Sequence, residues 1–167
     1  MKRQTRTRAA IATAAALVAA GTVTVGVSAA GPESKSTKPT KAQIAALFDG
    51  WNASLATGDA ETVADRYASD AVLLPTVSPE IRTDRAGIVD YFEHFLANKP
   101  QGKKIRTVVN VLDSNSAIDA GLYEFTLTDP ETGEKREVEA RYTYEYEKRG
   151  GKWLIVNHHS SVLPAAG

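Results

Sequence analysis

The residues best suited to chemistry lie in the last third of the chain. Arg141 sits within a segment, Glu139 to Tyr146, in which polar and aromatic residues alternate. His158 and His159 stand side by side in a second such segment, Trp153 to Ser161. A guanidinium among apolar neighbours needs a partner, since an unpaired buried charge costs on the order of several kcal/mol. Its planar fork of donors suits a carboxylate or another anion. It would equally suit an internal ion pair with Glu124, Glu139 or a helix carboxylate. His159 could carry a proton near neutral pH, or sit in the core bonded to Tyr123 or to backbone. Asn157 could bond a ligand or a neighbouring backbone group. Adjacent strand residues point to opposite faces, so His158 and His159 cannot share a metal. His94 adds no recognisable ligand spacing, and no metal site is expected. Tyr123 and Asp119 share a face of a third segment, which makes Asp119 the second candidate proton carrier after His159. Trp51 and Tyr67 suit either pocket walls or plain core.

These groups need a sheet to hold them. Glu139 to Val162 reads as two long antiparallel strands joined at Arg149-Gly150-Gly151, the clearest hairpin signal in the chain. Strict alternation puts Arg141, Thr143 and Glu145 on one face and Ala140, Tyr142, Tyr144 and Tyr146 on the other. On the returning strand it groups Trp153, Ile155, Asn157 and His159. Joining that group to the Arg141 face makes this the expected lining of the interior. The tyrosine row then becomes an outer face, together with His158. Tyrosines combine a large apolar ring with a hydroxyl that tolerates water, so the row is expected to meet a second copy. A sheet that is apolar on both sides requires two covers.

Upstream, Thr40 and Gln43 form a capping box ahead of a helix carrying Ile44, Leu47, Phe48, Trp51 and Leu55. Asp59 caps a short helix carrying Val63 and Tyr67. Ala71 to Thr76 reads as an edge strand ending at Pro75. Thr83 or Asp84 caps a third helix with Ile88, Tyr91, Phe92, Phe95 and Leu96 on its buried stripe. From Lys104 onward the period changes to two, and four long strands follow in meander. Helices segregated ahead of an antiparallel sheet define an α+β domain over residues 40–164.

Twenty basic and twenty acidic residues cancel, and no nucleic-acid partner is expected. Four of the bases (Lys2, Arg3, Arg6, Arg8) crowd the N-terminus, which leaves a mildly acidic body. They precede an Ala/Val/Thr/Gly run and the small residues Ser28, Ala29 and Ala30. Residues 1–30 therefore read as a signal peptide and 31–39 as a flexible tether. Secretion is expected, with no stable membrane partner after cleavage. The alternative is a membrane tether formed by the uncleaved signal. Cysteine is absent, which excludes disulfides and thiol chemistry. No cofactor motif occurs.

Phe48-Asp-Gly-Trp-Asn52, Tyr67 to Thr76, Ala140 to Thr143 and Gly151 to Ser161 together resemble the nuclear transport factor 2-like superfamily. Within it they are most similar to the association domain of calcium/calmodulin-dependent protein kinase II and its stand-alone bacterial relatives. The resemblance implies a cone: a curved antiparallel or mixed sheet wrapped around three N-terminal helices, with a pocket at its mouth. It also implies homo-oligomeric assembly and a pocket with an arginine and a histidine, matched here by Arg141 and His159. Tyr123 and Ser160 fall where that family carries further pocket arginines. The expectation is an oligomeric module binding a small, anionic organic ligand through Arg141, Tyr123, Asn157 and His159, walled by Trp51 and Tyr67. SnoaL-like isomerase, cyclase or hydrolase activity and purely structural assembly are the alternatives. No kinase motif is present.

Overall fold

The computed structural model describes residues 37–76 and 78–165. Residues 1–30, read as a signal peptide, and 31–36 of the stretch read as a tether lie outside the described residues. The chain runs through α1 (Lys41–Ala45), α2 (Leu47–Leu55), α3 (Ala60–Ala64), β1 (Tyr67–Leu74), α4 (Arg85–Leu96), β2 (Gln101–Val111), β3 (Ser116–Thr128), β4 (Lys135–Arg149) and β5 (Lys152–Val162). The expected order is observed, with the first expected helix broken at Ala46 into α1 and α2. The Thr40 hydroxyl accepts from Gln43 N–H while the Gln43 side chain accepts from Thr40 N–H, so the first helix starts at a complete capping box. Asp59 and Asp84 cap α3 and α4. Tyr67 differs from expectation: it opens β1 rather than closing the short helix.

The sheet is open, in the order β1-β5-β4-β3-β2. β1 runs parallel to β5 and every other pairing is antiparallel. The Arg149–Lys152 hairpin turns on Gly150 and Gly151, with φ of 58° and 82°. Two successive left-handed residues of this kind match the twist of the flanking strands. Extra residues interrupt the antiparallel ladders at Ile105 in β2 and at Val156 in β5, and the β1–β5 register also shifts between Tyr67 and Val72. Such bulges bend a strand and change which face its later residues occupy.

The second bulge reverses an expectation. Up to Ile155, β5 keeps Trp153 and Ile155 on the inner face, with Ile155 opposite Tyr146. Beyond Val156 the alternation shifts by one, so His158 and Ser160 turn inward and Asn157 and His159 turn outward. Tyr142, Tyr144 and Tyr146 lie beneath the helices, each no more than 2% exposed. Arg141 and His159 are exposed on the outer face. The tyrosine row is therefore core and not an interface.

Phe48 and Trp51 of α2 pack into that row, with ring centroids 6.2 Å (Phe48–Tyr142) and 5.6 Å (Trp51–Tyr144) apart. Asn52 ties the same helix to β2, donating to the Gly102 carbonyl at 2.8 Å and accepting from its N–H at 3.1 Å. Gly121 lets β2 approach at its bulge, because a Cβ there would stand 1.8 Å from the Arg106 carbonyl oxygen. Gly121→Ala is expected to cost about 1–3 kcal/mol through the backbone shift it forces. A lowered urea midpoint checks this, and an unchanged midpoint would refute it.

Candidate functional site

Six elements, α2, β1, α4, β3, β4 and β5, converge on one cavity of about 50 Å³ beneath α4. Trp51 from α2 and Phe92 and Phe95 from α4 form one side, with Tyr123 and Phe125 from β3 opposite. His158 of β5 supplies a polar group to the wall, and Arg136 of β4 stands at the rim. Small residues permit the arrangement. Ala140 lies between Tyr123 and the C-terminal part of β5, so the Tyr123 hydroxyl reaches across to Ser160 Oγ at 2.5 Å. Ser160 also bonds Thr76.

A hydrogen-bond chain fixes His158. Trp51 Nε1–H, which can only donate, donates a hydrogen bond to Tyr67 Oη at 3.0 Å. The Tyr67 hydroxyl is then directed to His158 Nδ1 at 2.8 Å. With Nδ1 accepting, a neutral imidazole carries its hydrogen on Nε2, a tautomer assigned from this network. Tyr144 stacks on the ring at 4.1 Å, and Trp51 meets it edge-on at 5.5 Å. Burial pushes the His158 pKa down to about 3, assisted by the charge of His159. The imidazole is thus neutral at physiological pH. Its Nε2 is buried without a protein partner. An unsatisfied buried donor is costly, and in a cavity wall it marks the place where a ligand oxygen gains most.

The sequence-derived candidates divide. Trp51, Tyr67 and Tyr123 join this assembly: Trp51 and Tyr123 line the cavity, and Tyr67 acts one bond behind it. Arg141, Asn157 and His159 do not line it, because the bulge and the inward tyrosines leave them on the outer face. Asp119 is fully buried on the inner face away from the cavity, opposite Tyr144 and Val109. Its Oδ1 accepts from Tyr142 Oη at 3.2 Å while Oδ2 has no partner. Burial raises its pKa to about 6 against the lowering effect of that bond.

Sequence reasoning missed His158 and Arg136. The signal was present in β4, where Arg136, Val138, Ala140, Tyr142, Tyr144 and Tyr146 alternate with Glu137, Glu139, Arg141, Thr143, Glu145 and Glu147. The inner face is the one with the larger apolar area.

Residues 40–164 match the family model of the calcium/calmodulin dependent protein kinase II association domain. The chain belongs to that family. A protein from Xanthomonas campestris assigned to the same association domain is 59% identical, with a TM-score of 0.73 over 74% of this chain and 88% of its own. The association domain of the C. elegans kinase aligns at 15% identity and a TM-score of 0.58, over 73% and 95% of the two chains. A nuclear transport factor 2-like protein from Salmonella enterica aligns at 17% and 0.65, over 76% and 93%. The last two show the fold alone. No curated protein matches in sequence. The cone that the resemblance implies is observed here, with the two faces of β4, and those of β5 beyond Val156, exchanged relative to expectation.

Proposed function

We propose that this chain is an exported, self-associating module whose cavity binds a small organic acid. An uncharged oxygen of the ligand accepts from His158 Nε2–H, and its anionic end meets Arg136 at the rim. The buried, unpartnered Nε2 carries this reading. The cavity is about a third of the roughly 150 Å³ that admits benzene, so it takes a slim head group and not a ring. A carboxylate inside would be desolvated against a neutral imidazole, which favours a carbonyl or hydroxyl head. Arg136 is exposed and belongs to no ion pair among those of the described residues, so its fork is available for the charged end. Self-association rests on the family. Export rests on the basic and apolar pattern of residues 1–30, and is tested by the N-terminal mass of chain recovered from culture medium.

Levulinate, a short oxo acid, is a suitable probe. It is expected to raise the melting temperature in proportion to its logarithmic concentration once binding saturates. His158→Phe is expected to abolish the rise, and Arg136→Gln to weaken affinity roughly tenfold. No rise with levulinate, or an unchanged rise in His158→Phe, overturns the reading.

One observation favours a second reading. A neutral imidazole held in a single tautomer can polarise a carbonyl as an electrophile. Turnover of an oxo acid that disappears in His158→Phe would establish an enzyme in place of a binder.

A further inference from the structure

The cavity has an open groove of about 330 Å³ beside it, lined by Arg82, Asp90, His94 and Asn98 among others. Tyr91 and Phe95 line both the groove and the cavity, so their rings form the wall between the two. Four residues apart on α4, they share one face of the helix, and their rings stack at 5.7 Å and 14°. The two are held differently. Phe95 meets Phe125 of β3 edge-on at 5.7 Å and belongs to the packing between helix and sheet. Phe92, the third ring that α4 gives the cavity, is fixed against Trp51 at 6.3 Å and Tyr67 at 5.8 Å. Among the ring contacts of the described residues, Tyr91 meets only Phe92 and Phe95, both of its own helix. Burial pushes its pKa up to about 12 while Arg82 of the groove draws it down, so the phenol borders both an apolar and a charged environment. The groove itself is braced. Arg82 pairs with Asp90 at 2.8 Å, and His94 Nδ1–H donates to the Asp90 carbonyl at 2.8 Å.

We propose that the Tyr91 ring is the partition that sets the size of the ligand. It limits the free substituent of the bound carbonyl to about a methyl group. Without the ring, cavity and groove become one site that takes an aryl oxo acid. This rests on the cavity-binding reading and deepens it by naming the residue that selects within that ligand class. A carbonyl carbon held through its oxygen by His158 and through its acid chain by Arg136 has one substituent left to place. The cavity alone has no room for a ring, which needs roughly 150 Å³, whereas the groove exceeds that on the far side of one side chain. A ligand phenyl in the space Tyr91 vacates would lie on Phe95 as the tyrosine ring does, and offset aromatic pairs attract beyond their buried area. Truncating Phe92 or Phe95 would instead open the packing of α4 on its neighbours. Tyr91 is therefore the wall member whose size can change while the rest of the site stays in place.

The test compares levulinate with 3-benzoylpropionate, which has the same acid chain and carbonyl but carries phenyl in place of methyl. Dissociation constants are measured by titration calorimetry on the purified full chain and its variants, with folding checked by circular dichroism. The unaltered chain is expected to bind benzoylpropionate at least roughly tenfold more weakly than levulinate, and Tyr91→Phe, which keeps the ring, to keep that discrimination. Tyr91→Ala is expected to bind benzoylpropionate at least roughly tenfold more tightly than the unaltered chain does. Tyr91→Val, which removes the ring but fills part of the hole, carries the same expectation and replaces an unfolded alanine variant. The double variant Y91A/H158F is expected to lose the gain, because the carbonyl contact anchors both ligands. Equal affinities in the unaltered chain, or no gain in the folded variants, overturn the partition and leave the cavity reading intact. A gain that survives His158→Phe puts the ring in the groove alone and also overturns the partition. An unaltered chain that does not bind levulinate overturns the cavity reading beneath it.

Discussion

Trp51→Ala is expected to lower the free energy of unfolding by about 3–5 kcal/mol, the range for removing a buried indole. The indole is 2% exposed and packs against Phe48, Phe92, Phe125, Tyr144 and His158. No single neighbour can collapse into the space, because each belongs to a different part of the helix layer or sheet. The change also removes the donor that directs the Tyr67 hydroxyl to His158, so two buried polar groups lose their orientation along with the packing. Domains of this size are stable by only about 5–15 kcal/mol, and the variant should sit close to its unfolding threshold. Trp51→Phe keeps one aromatic ring but loses the N–H and part of the bicycle, at an expected cost of about 1–3 kcal/mol. Urea unfolding of both variants grades the loss by how much of the aromatic packing remains. A Trp51→Ala midpoint equal to that of the Phe variant would mean the indole is not the keystone between α2 and the sheet.

The second large effect concerns pH, where two buried groups act in opposite directions. Asp119 is raised from 3.8 to about 6, so the folded state holds its proton more tightly than the unfolded chain does. Its contribution favours the folded state at low pH and is lost as pH rises from about 4 to about 6. His158 is lowered from 6.5 to about 3, so the folded state refuses a proton that the unfolded chain accepts. Its contribution is complete above about pH 6.5 and is lost progressively as pH falls toward 3. The two slopes oppose each other between about pH 4 and 6, and the unaltered protein should show a shallow dependence there. Asp119→Asn removes one slope. It is expected to gain about 1–2 kcal/mol at neutral pH, less than the full shift because the amide is left buried without all its partners, and to lose stability steeply on acidification. His158→Phe removes the other and should become more stable as pH falls through the same window. Urea midpoints across this range decide the matter: variant curves parallel to that of the unaltered chain would defeat the account.

Much of the architecture was legible because it depends on neighbours in the chain. The Thr40/Gln43 box, the Asp59 and Asp84 caps, and the paired glycines at 150 and 151 are local devices, and each is found where its residues predict. The strict alternation of β4 separates a row of glutamates from a row of tyrosines, and this too is local. Which row faces the helices is a question of area, and the aromatic row prevails.

The site itself depended on a single residue that sequence alone does not mark. The ladder between β4 and β5 slips at Val156, and from there His158 replaces His159 on the inner wall. A bulge is chosen by the competition between ladder hydrogen bonds and the packing of a bent sheet on its helices, so it belongs to the tertiary structure. Arg136 lines the cavity and Arg141 stays outside because they lie on opposite faces of β4, whose tyrosine-bearing face turns toward the helices. The sequence by itself determined the elements, their order and the residues able to do chemistry. Only the folded sheet decided which row of β4 and which histidine of β5 face the cavity, because burial favours the larger apolar row and a one-residue slip in β5 exchanges the faces of the residues beyond it.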